Sequence, residues 1–295
     1  MPGFSNGFSA FGFGPLSFLA GVGIIATNNK LMNRIALLLL PVLLCTCAPS
    51  PESGEAATAE AQESAADTTG EWITLFDGES LEGWRGYNSD RLPPGWVARD
   101  GELTYDTEVV KEEDYTGGKD LIYGDREFGN FELELDWKIP PGGNSGILYH
   151  VKEGYGGPPE VAPEYQLIDD EHYADMHDLT GYNSQFGSEH PEQLQDWQKT
   201  GADYAMHVPD SSKVHLNPAG EWNSSRIVFT DERVEHWLNG EMILSFEPWS
   251  DEWYEKRNSG KWKGAPDYGK FETGYIALQD HGSPLWFRDI RIREL

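Results

Sequence analysis

Phe131-Glu-Leu-Glu-Leu-Asp-Trp-Lys-Ile139 alternates between apolar and charged residues at every position. Successive side chains of a β-strand point to opposite faces, so this stretch predicts a strand with one buried face and one solvated face. Asn144–Val151 is rich in Ile, Leu, Tyr and Val, and it predicts a second strand. These two stretches decide the fold class, which we expect to be all-β.

Turn signals separate further short strands in the second half of the chain. Residues 226–238 predict a hairpin that turns near Asp231. Asn239-Gly240 supplies the two positive φ angles of a type I′ turn before a return strand over residues 242–246. Residues 274–279 and 285–292 are expected to form the closing pair. Short strands with little helical periodicity favour a sandwich of two antiparallel sheets.

Long loops are also expected, because the 295 residues include 33 Gly and 18 Pro. The longest stretch without a clear strand is 171–213, in which residues 191–198 predict a helical turn with Pro191 near its first position. A long loop inside a compact domain is usually functional or disordered. We place Trp137 and Trp237 in the core. The Trp residues of loop-like segments are candidates for a binding rim: Trp197, Trp249, Trp253 and Trp262.

The composition restricts the classes of partner and cofactor. A formal net charge of −28 argues against binding to nucleic acid or to anionic membrane surfaces, and it suits a neutral ligand. The sequence has no His-Glu-x-x-His pattern, no Gly-rich phosphate loop and no Gly-x-Ser-x-Gly elbow. We therefore assign no metal and no organic cofactor, although Asp and Glu oxygens leave a divalent cation such as calcium open.

The N-terminal region predicts export. An apolar run over residues 35–44 ends shortly before Cys47, which small Thr46 precedes, as in a bacterial lipoprotein signal with Cys47 as the lipid acceptor. The run is shorter than the roughly 20 apolar residues that span a bilayer. A short membrane anchor or a buried helix is the alternative interpretation.

The domain boundaries follow from this signal. We expect residues 1–31 to be an untranslated or vestigial extension, and residues 32–47 to be the signal peptide, because Met32-Asn33-Arg34 is a complete signal start. Residues 48–70 predict a disordered linker, and residues 71–295 one folded domain. Both cysteines lie inside the signal, so the mature chain has no disulfide. The expected location is the bacterial cell envelope, lipid-anchored in the periplasm or at the outer membrane.

Six motifs occur in order through residues 72–295. They are Leu75-Phe-Asp-Gly-Glu-Ser-Leu-Glu-Gly-Trp84, Gly143-Asn-Ser-Gly-Ile147, Glu164-Tyr-Gln-Leu-Ile-Asp169, Gly220-Glu-Trp-Asn223, Leu238-Asn-Gly240, and Leu278-Gln-Asp-His-Gly282 followed by Phe287-Arg-Asp-Ile290. Together they resemble the 3-keto-disaccharide hydrolase family. The resemblance implies a concanavalin A-like jelly roll and an enzyme that cleaves small 3-keto sugars. A separate sugar oxidoreductase would supply the keto sugar, since no dinucleotide fingerprint is present.

The motif at residues 164–169 carries the strongest catalytic candidates. In a strand, Glu164 and Gln166 share one face, while Tyr165 and Leu167 share the other. A polar pair opposite an apolar pair suits a wet binding face, so we expect Glu164 to be the catalytic acid or base and Gln166 to contact substrate. A bulge could bring Asp169 to the same face as a second catalytic candidate. The alternative is a solvated strand face without a ligand.

Two other segments add candidates by the same parity argument. Gln279 and His281 share a face and offer a hydrogen-bonding amide and a titratable imidazole, so we expect Gln279 to bind substrate and His281 to be catalytic. A structural turn before Gly282 is an equal alternative for His281. Asn144 and His150 share a face of their strand and are substrate-binding candidates, although Asn144 could instead cap a turn.

The remaining candidates are two basic residues on apolar faces. Arg288 has the parity of Ile290, which points it inward, where it would bind substrate or form a structural pair with a carboxylate. His236 alternates with Val234 and is more often a core residue than a catalytic one. The resemblance implies Arg in many relatives at the position of His150, so this substitution could shift substrate preference.

The reaction that the resemblance implies begins at the ketone. The ketone acidifies the proton on the carbon next to the anomeric centre, a base removes it, and the glycosidic oxygen leaves by elimination. Addition of water then gives net hydrolysis. Two alternatives are a non-catalytic carbohydrate-binding lipoprotein on the same fold and, less favoured, a retaining glucanase of the laminarinase type.

We expect mass spectrometry of a membrane fraction to find the mature N-terminus at an acylated Cys47, because the apolar run and Thr46 form a lipoprotein processing site. A Cys47→Ser variant should lose the acyl group, while Cys45→Ser should keep it. Recovery of a soluble protein that retains residues 35–46 would contradict this processing.

Overall fold

The computed structural model describes residues 70–109, 115, 116 and 118–295. The predicted signal peptide with Cys47, the extension before it, and the linker up to residue 69 lie outside the described residues. Within the described ranges, no helix combines the length and the apolar character needed to cross a membrane.

Short strands dominate the regular structure, as the alternating sequence patterns predict. The strands are β1 (Ile73–Thr74), β2 (Trp84–Gly86), β3 (Trp96–Arg99), β4 (Glu102–Tyr105), β5 (Leu121–Tyr123), β6 (Phe131–Lys138), β7 (Asn144–Val151), β8 (Glu164–Ile168), β9 (Asn223–Phe229), β10 (Val234–Leu238), β11 (Glu241–Phe246), β12 (Tyr275–Leu278) and β13 (Leu285–Glu294). The α-helices are α1 (Tyr173–Met176), α2 (Thr180–Asn183) and α3 (Asp251–Ser259), and 3₁₀ helices span Pro158–Glu160, Ser184–Phe186, Asp196–Gln198 and Lys261–Gly264.

The strands form two antiparallel sheets. The larger sheet has the order β11-β10-β9-β6-β13-β4-β3, with β1 also paired to β13, and the smaller has the order β2-β5-β12-β7-β8. Apolar side chains of both sheets meet in one central core. This architecture is a concanavalin A-like jelly-roll sandwich, so the predicted fold class is confirmed.

The predicted closing pair of strands is wrong. β12 lies between β5 and β7 in the smaller sheet, while β13 lies between β6 and β4 in the larger sheet. The connection between them therefore crosses from one layer to the other. Consecutive strands often pair, but sequence alone does not distinguish a hairpin from a crossover at this point.

The turn predictions agree with the structure in the second half of the chain. Asn239 and Gly240 have φ angles of 50° and 86° and join β10 to β11, as a type I′ turn requires. The connection from β8 to β9 contains only short helices, and its predicted helical turn begins at Asp196 rather than at Pro191. Tyr173 and Leu179 of this long connection pack on Ile168 of β8, and its main chain pairs with the edge of β8 at Glu164 and Gln166.

The two strand tryptophans differ in environment. Trp137 is 1% exposed in the core, where its Nε1 donates to Ser225 Oγ at 2.8 Å, as predicted for a core residue. Trp237 lies on the outer face of the larger sheet, with the Arg226 guanidinium 3.8 Å from its ring centre. Its predicted core position is wrong, because the buried alternate position of β10 is His236.

A β-bulge at Asp289 reverses the predicted orientation of Arg288. Asp289 has a φ of 53°, and the pairing of β13 with β6 shifts after Arg288. Ile290 is buried, but Arg288 points to the outer face of the larger sheet, where it donates to Asp136 and lies 4.1 Å from the Trp222 ring centre. The predicted inward orientation is wrong, because one extra residue in a strand changes its parity.

A second bulge places His150 in the core. His150 has a φ of 55°, and the register between β7 and β12 shifts beside it. Its ring lies 4.3 Å from that of Phe229, and its Nε2 contacts the Gly129 carbonyl at 3.0 Å. Burial lowers the pKa of His150 to about 4. The prediction that His150 shares a face with Asn144 is therefore wrong.

We expect Gly274→Ala to lower the free energy of unfolding, because a Cβ at this position would overlap the main chain of His150. Overpacking of this kind costs about 1–3 kcal/mol, which thermal unfolding followed by circular dichroism would detect as a lower Tm. Gly181→Ala is the control, since a Cβ there meets no atom within 4 Å. Equal Tm values for the two variants would contradict the close packing at the bulge.

Candidate functional site

Polar and apolar residues alternate along β8 and therefore point to opposite faces of the smaller sheet. Tyr165 and Leu167 pack into the central core, while Glu164 and Gln166 lie on the opposite, outer face of the smaller sheet. The two polar residues are only 4% and 3% exposed, because the connection from β8 to β9 covers them. The predicted division of this motif into an apolar and a polar face is confirmed.

The Glu164 carboxyl group lies directly over Gly146 of the neighbouring strand β7. Gly146 is opposite Gln166 in the ladder, and a Cβ on Gly146 would collide with Glu164 Oε1. Glycine at this position therefore provides the space for the carboxyl group. Among the described residues, none donates a hydrogen bond to this carboxyl group.

Burial raises the pKa of Glu164 to about 8, since the charged form loses its water without gaining a hydrogen bond. The positive charge of Lys261 acts in the opposite direction, while the negative charges of Asp120 and Asp203 add to the increase. A carboxyl group with a pKa near neutrality can both give and take a proton under ordinary conditions, which suits general acid or base catalysis.

A second carboxyl group with a raised pKa lies in the same region. Asp120 directly precedes β5, and its Oδ1 accepts a hydrogen bond from the Asp280 main-chain N–H at 2.9 Å. Burial raises the pKa of Asp120 to about 7, and the charge of Asp280 contributes. Sequence alone does not reveal Asp120 as a candidate, because β5 is only three residues long and its sequence has no recognisable alternation.

Lys261 supplies the positive charge of the site. Its ammonium group lies 4.2 Å from the Tyr204 ring centre and 4.5 Å from that of Trp262, so aromatic faces hold it in place. It lowers the pKa of both Glu164 and His281. Lys261 was also missed, since it belongs to a short 3₁₀ helix that lacks a sequence signature.

Gln279 lies close to Glu164, as its motif predicted, and His281 follows two residues later. The Gln279 main-chain N–H donates to the Gly146 carbonyl at 2.9 Å, which places Gln279 beside the floor of the site. His281 is exposed at the rim. Protein atoms around the His281 ring exclude part of its water, which lowers its pKa because the charged form loses hydration. The positive charges of His177 and Lys261 lower this pKa further.

Two amide oxygens of the site are buried without a protein partner. Asn144 Nδ2 donates to Tyr173 Oη at 3.4 Å, but Asn144 Oδ1 has no hydrogen bond within the described part of the chain. The same is true of Gln166 Oε1. Buried polar atoms are normally paired, so two free acceptors side by side on this face are suited to a ligand that offers hydroxyl groups.

Asp169 occupies a different position from the one predicted. Its Oδ2 accepts from the Gly142 main-chain N–H at 2.7 Å, and its Oδ1 accepts from that of Glu171 at 3.2 Å. The His172 ring lies 3.0 Å from the same carboxylate. These contacts fix the chain after β8 to the chain before β7, and the geometry favours a structural role over the predicted catalytic one.

Among the tryptophans proposed as a binding rim, Trp197 fits best. Trp253 and Trp262 are buried in a small cluster with Met206 and Tyr268, and Trp249 packs against the edge of that cluster. Trp197 is half-buried, and its ring lies 5.4 Å from Tyr204 and 5.6 Å from exposed Phe186. The site thus has an aromatic wall, defined by Trp197, Tyr204, Tyr182 and Phe186.

Comparison with known proteins identifies the family of the chain. Residues 71–293 match the model of the 3-keto-alpha-glucoside-1,2-lyase-like domain. A 3-keto-disaccharide hydrolase of Bacteroides thetaiotaomicron is 33% identical over 244 residues, which are 76% of this chain and 78% of the relative. The chain belongs to this family.

Solved structures extend the similarity to three dimensions. A crystal structure from Parabacteroides distasonis, described as that of a glycosyl hydrolase, is 41% identical with a TM-score of 0.65, covering 76% of this chain and 94% of the other. A second from the same organism is 27% identical with a TM-score of 0.54, covering 76% and 100%. As a family member, the chain is a glycoside-cleaving enzyme, as the sequence predicted.

Four of the eight residues proposed for catalysis and substrate binding lie together around the Glu164 carboxyl group: Glu164, Gln166, Asn144 and Gln279. Arg288 lies on the outer face of the other sheet, and His150 lies in the core. A groove of about 690 Å³ on that other sheet is lined by residues such as Asp77, Asp136 and Asp289, and none of its titratable residues is buried. Glu164 differs from them in being buried with a raised pKa, so we take it as the centre of the candidate site.

No group of three or more His, Cys, Asp or Glu residues within the described ranges could hold a metal ion. Asp120 contributes to the raised pKa of Glu164 through space, although Glu164 lies in β8 and Asp120 directly precedes β5.

We expect Glu164→Gln to stabilise the protein at pH 7–8. The pKa of Glu164 is about 8 in the folded state and near 4.5 when exposed, so the folded chain holds a proton that the unfolded chain releases. The stability that this proton gives is complete below pH 4.5 and is lost as the pH rises towards 8. Because Gln does not ionise, the Tm advantage of the variant should grow over this interval.

Differential scanning calorimetry between pH 4 and pH 8 measures the Tm difference between Glu164→Gln and the parent protein. Glu241→Gln, at an exposed position of the β10–β11 hairpin, is the control and should show a difference from the parent that does not change with pH. A Tm difference for Glu164→Gln that stays constant with pH would contradict a raised pKa.

Proposed function

We propose that this protein cleaves 3-keto glycosides, including 3-keto disaccharides, by base-assisted elimination followed by addition of water. The observation that carries the proposal is the buried Glu164 carboxyl group, which has a pKa of about 8 and lies beside two unpaired amide acceptors. The Bacteroides relative, named a 3-keto-disaccharide hydrolase, supports the same class of substrate.

The proposed reaction has two stages. In the first, a base removes the proton from C2, between the ketone carbon and the anomeric carbon, and electron density moves to the ketone oxygen as an enolate. The enolate then expels the glycosidic oxygen from C1, and an acid gives that oxygen a proton. In the second, water adds across the new C1–C2 double bond, with a hydroxyl on C1 and a proton on C2, which completes net hydrolysis.

The two raised pKa values divide the roles between the two carboxyl groups. Asp120, with a pKa of about 7, ionises first and is the base that removes the C2 proton. Glu164, with a pKa of about 8, keeps its proton longer and is the acid for the leaving oxygen. The ammonium group of Lys261 stabilises the negative charge that develops on the ketone oxygen.

Neutral groups then bind the sugar. Asn144 Oδ1 and Gln166 Oε1 accept hydrogen bonds from sugar hydroxyl groups, and Gln279 adds a further amide at the floor. The aromatic wall offers the ring faces of Trp197 and Tyr204 to the apolar face of a sugar or of its aglycone. Since no ion pair with ligand is involved, binding should depend only weakly on salt.

The laminarinase type of mechanism does not fit this strand. A retaining glucanase needs two carboxyl groups about 5–5.5 Å apart across the scissile bond. The outer-face positions of β8 are Glu164, Gln166 and Ile168, so the strand contributes a single carboxyl group to the site. Elimination requires no carboxylate nucleophile, and the residues present suffice for it.

The cellular location of the enzyme and the source of its substrate are part of the same proposal. The lipoprotein signal around Cys47 would anchor the domain at the cell envelope, in the periplasm or at the outer membrane. An oxidoreductase acting on carbon 3 of a glycoside must supply the substrate, because the 3-keto group has to be made before cleavage.

We expect Glu164→Gln to lower turnover of 3-keto-trehalose or a 3-keto glucoside by about 10²–10⁴-fold, the usual effect of removing a positioned acid or base. Asp120→Asn should have an effect of similar size. The parent should show a bell-shaped dependence of kcat/KM on pH, with limbs near pH 7 and pH 8 set by the two pKa values. Asp120→Asn should remove the acidic limb, and Glu164→Gln the alkaline one.

Glu241→Gln is the control for this series and should keep parental kinetics. Asp169→Asn and His281→Gln test the other predicted catalytic residues. Near-normal turnover of Glu164→Gln, with loss of activity in one of those two, would overturn the assignment to Glu164. A parent that binds disaccharides but cleaves no 3-keto glycoside would instead indicate the binding-protein alternative.

A further inference from the structure

A row of neighbouring residues crosses the smaller sheet on the face of the candidate site. Gly146 of β7 is paired with Gln166 of β8, and Ile147 is paired with Leu278, the last residue of β12. Gln279 therefore lies beside Gly146, and its main-chain N–H donates to the Gly146 carbonyl at 2.9 Å. Side chains that stand opposite each other on antiparallel strands project to the same face, so Gln279 shares the outer face of Gln166.

The same row continues to Asp120 on the other side of Gln279. Leu278 is also paired with Leu121, the first residue of β5. Asp120 directly precedes Leu121, which makes it the neighbour of Gln279 across the two strands. Both leucines belong to the central core, so Asp120 and Gln279 point the opposite way, to the outer face. The Asp280 main-chain N–H, 2.9 Å from Asp120 Oδ1, fixes the carboxyl group at this end of the row.

Gln279 thus lies between the two carboxyl groups to which the reaction is assigned. Neighbouring strands are about 4.8 Å apart, so Asp120 and Gly146, on either side of Gln279, are separated by about 10 Å. The Glu164 carboxyl group lies over Gly146, where a Cβ would collide with it. A sugar whose C1–C2 bond stands between the acid and the base therefore lies over Gln279.

Among the direct neighbours of Asp120, the other side chains have no free donor. Opposite Gln279, on the far side of Asp120, lies Tyr87, whose main-chain N–H donates to the Asp120 carbonyl at 3.0 Å. The Tyr87 hydroxyl is already used, since it donates to the Lys152 carbonyl at 3.0 Å. Along the chain, the positions two residues before and after Asp120 are a glycine and Ile122, neither of which has a side-chain donor.

The Gln279 main chain is fixed, while its amide group is free. The Gln279 carbonyl accepts from Ser145 Oγ at 2.8 Å, and its N–H is held by Gly146. Within the part of the chain that the structure describes, the side-chain amide forms no hydrogen bond. A neutral N–H donor held at a fixed position suits an oxygen that becomes negatively charged during a reaction.

On the basis of the elimination described above, we propose that Gln279 is a further catalytic residue, whose Nε2–H donates to the ketone oxygen at C3 and stabilises the enolate. When Asp120 takes the C2 proton, the electron pair of the C2–H bond moves towards C3, and the negative charge appears on the ketone oxygen. This oxygen is attached to the carbon next to C2, so it lies beside the neighbour of Asp120 in the row. Gln279 stays neutral and shares the charge of the oxygen with Lys261.

Steady-state kinetics of Gln279→Leu with a 3-keto glucoside test this role. We expect kcat to fall by about 10²–10³-fold, the usual effect of removing one donor to a developing oxyanion. KM should rise by less than about tenfold, because the hydrogen bond to the neutral ketone of bound substrate is weaker than the one to the enolate. Gln166→Leu should show the opposite division, with a larger change in KM than in kcat, because Gln166 binds hydroxyl groups equally in both states.

Gln193→Leu is the matched control, since this side chain is exposed in the long connection, and it should keep parental kinetics. A kcat of Gln279→Leu within about threefold of the parent would overturn the inference, because one oxyanion donor is worth far more. If Gln279→Leu also lowers the Tm, Gln279→Glu decides, since it keeps the size of the side chain. Its carboxyl group donates only when protonated, so its activity relative to the parent should rise as the pH falls from 8 to 5. A constant ratio would contradict the role of a donor.

The inference and the proposed function fail in different ways. A parent protein that cleaves no 3-keto glycoside would refute the proposed function. Isothermal titration calorimetry with the same 3-keto glucoside then still tests Gln279, because Gln279→Leu should raise Kd by about 2–10-fold, the effect of one neutral hydrogen bond, while Gln193→Leu should not. Equal Kd values for Gln279→Leu and the parent, or no binding by the parent, would overturn the inference. An active parent with unchanged kcat in Gln279→Leu would overturn the inference alone.

Discussion

Burial of one carboxyl group without a hydrogen bond is the constraint on which the functional arrangement depends. Glu164 is covered on one side by the loops and is bounded on the other by Gly146, whose lack of a side chain leaves it space. A charged group in this position would be costly, so the protein holds the proton up to a pKa of about 8. The same cost that destabilises the folded chain at alkaline pH lets Glu164 change its protonation state near neutral pH.

The surroundings of Glu164 moderate this cost without removing it. Lys261 lowers the pKa, whereas Asp120 and Asp203 raise it. The aromatic rings of Tyr204 and Trp262 hold the ammonium group of Lys261 in place. This balance keeps the pKa of Glu164 near neutral pH, whereas a direct ion pair would lower it.

Much of the fold could be predicted from alternation alone. The pattern of β6, the type I′ turn at Asn239, and the two faces of β8 all follow from side-chain parity. Parity failed where a residue other than glycine adopts a positive φ. The bulges at His150 and Asp289 each add one residue to a strand, and nothing in the side chains of these positions signals such a backbone conformation.

The candidate site was only half predictable for a related reason. Glu164, Gln166 and Asn144 lie on strands and Gln279 directly follows β12, so their faces could be inferred from neighbouring residues. Asp120 and Lys261 come from segments that are 141 positions apart in the sequence and lack periodicity. Only the folded sheet order brings them to the same face, and sheet order is what the sequence of a jelly roll reveals least.

The placement of the last two strands has a consequence for how the chain folds. β13 lies in the interior of the larger sheet, between β6 and β4, and β12 lies in the interior of the smaller sheet, between β5 and β7. Until both have been added, each sheet consists of unconnected parts with exposed edges. The two sheets therefore gain their final connections only when residues 275–294 are added, and such long-range pairings form slowly.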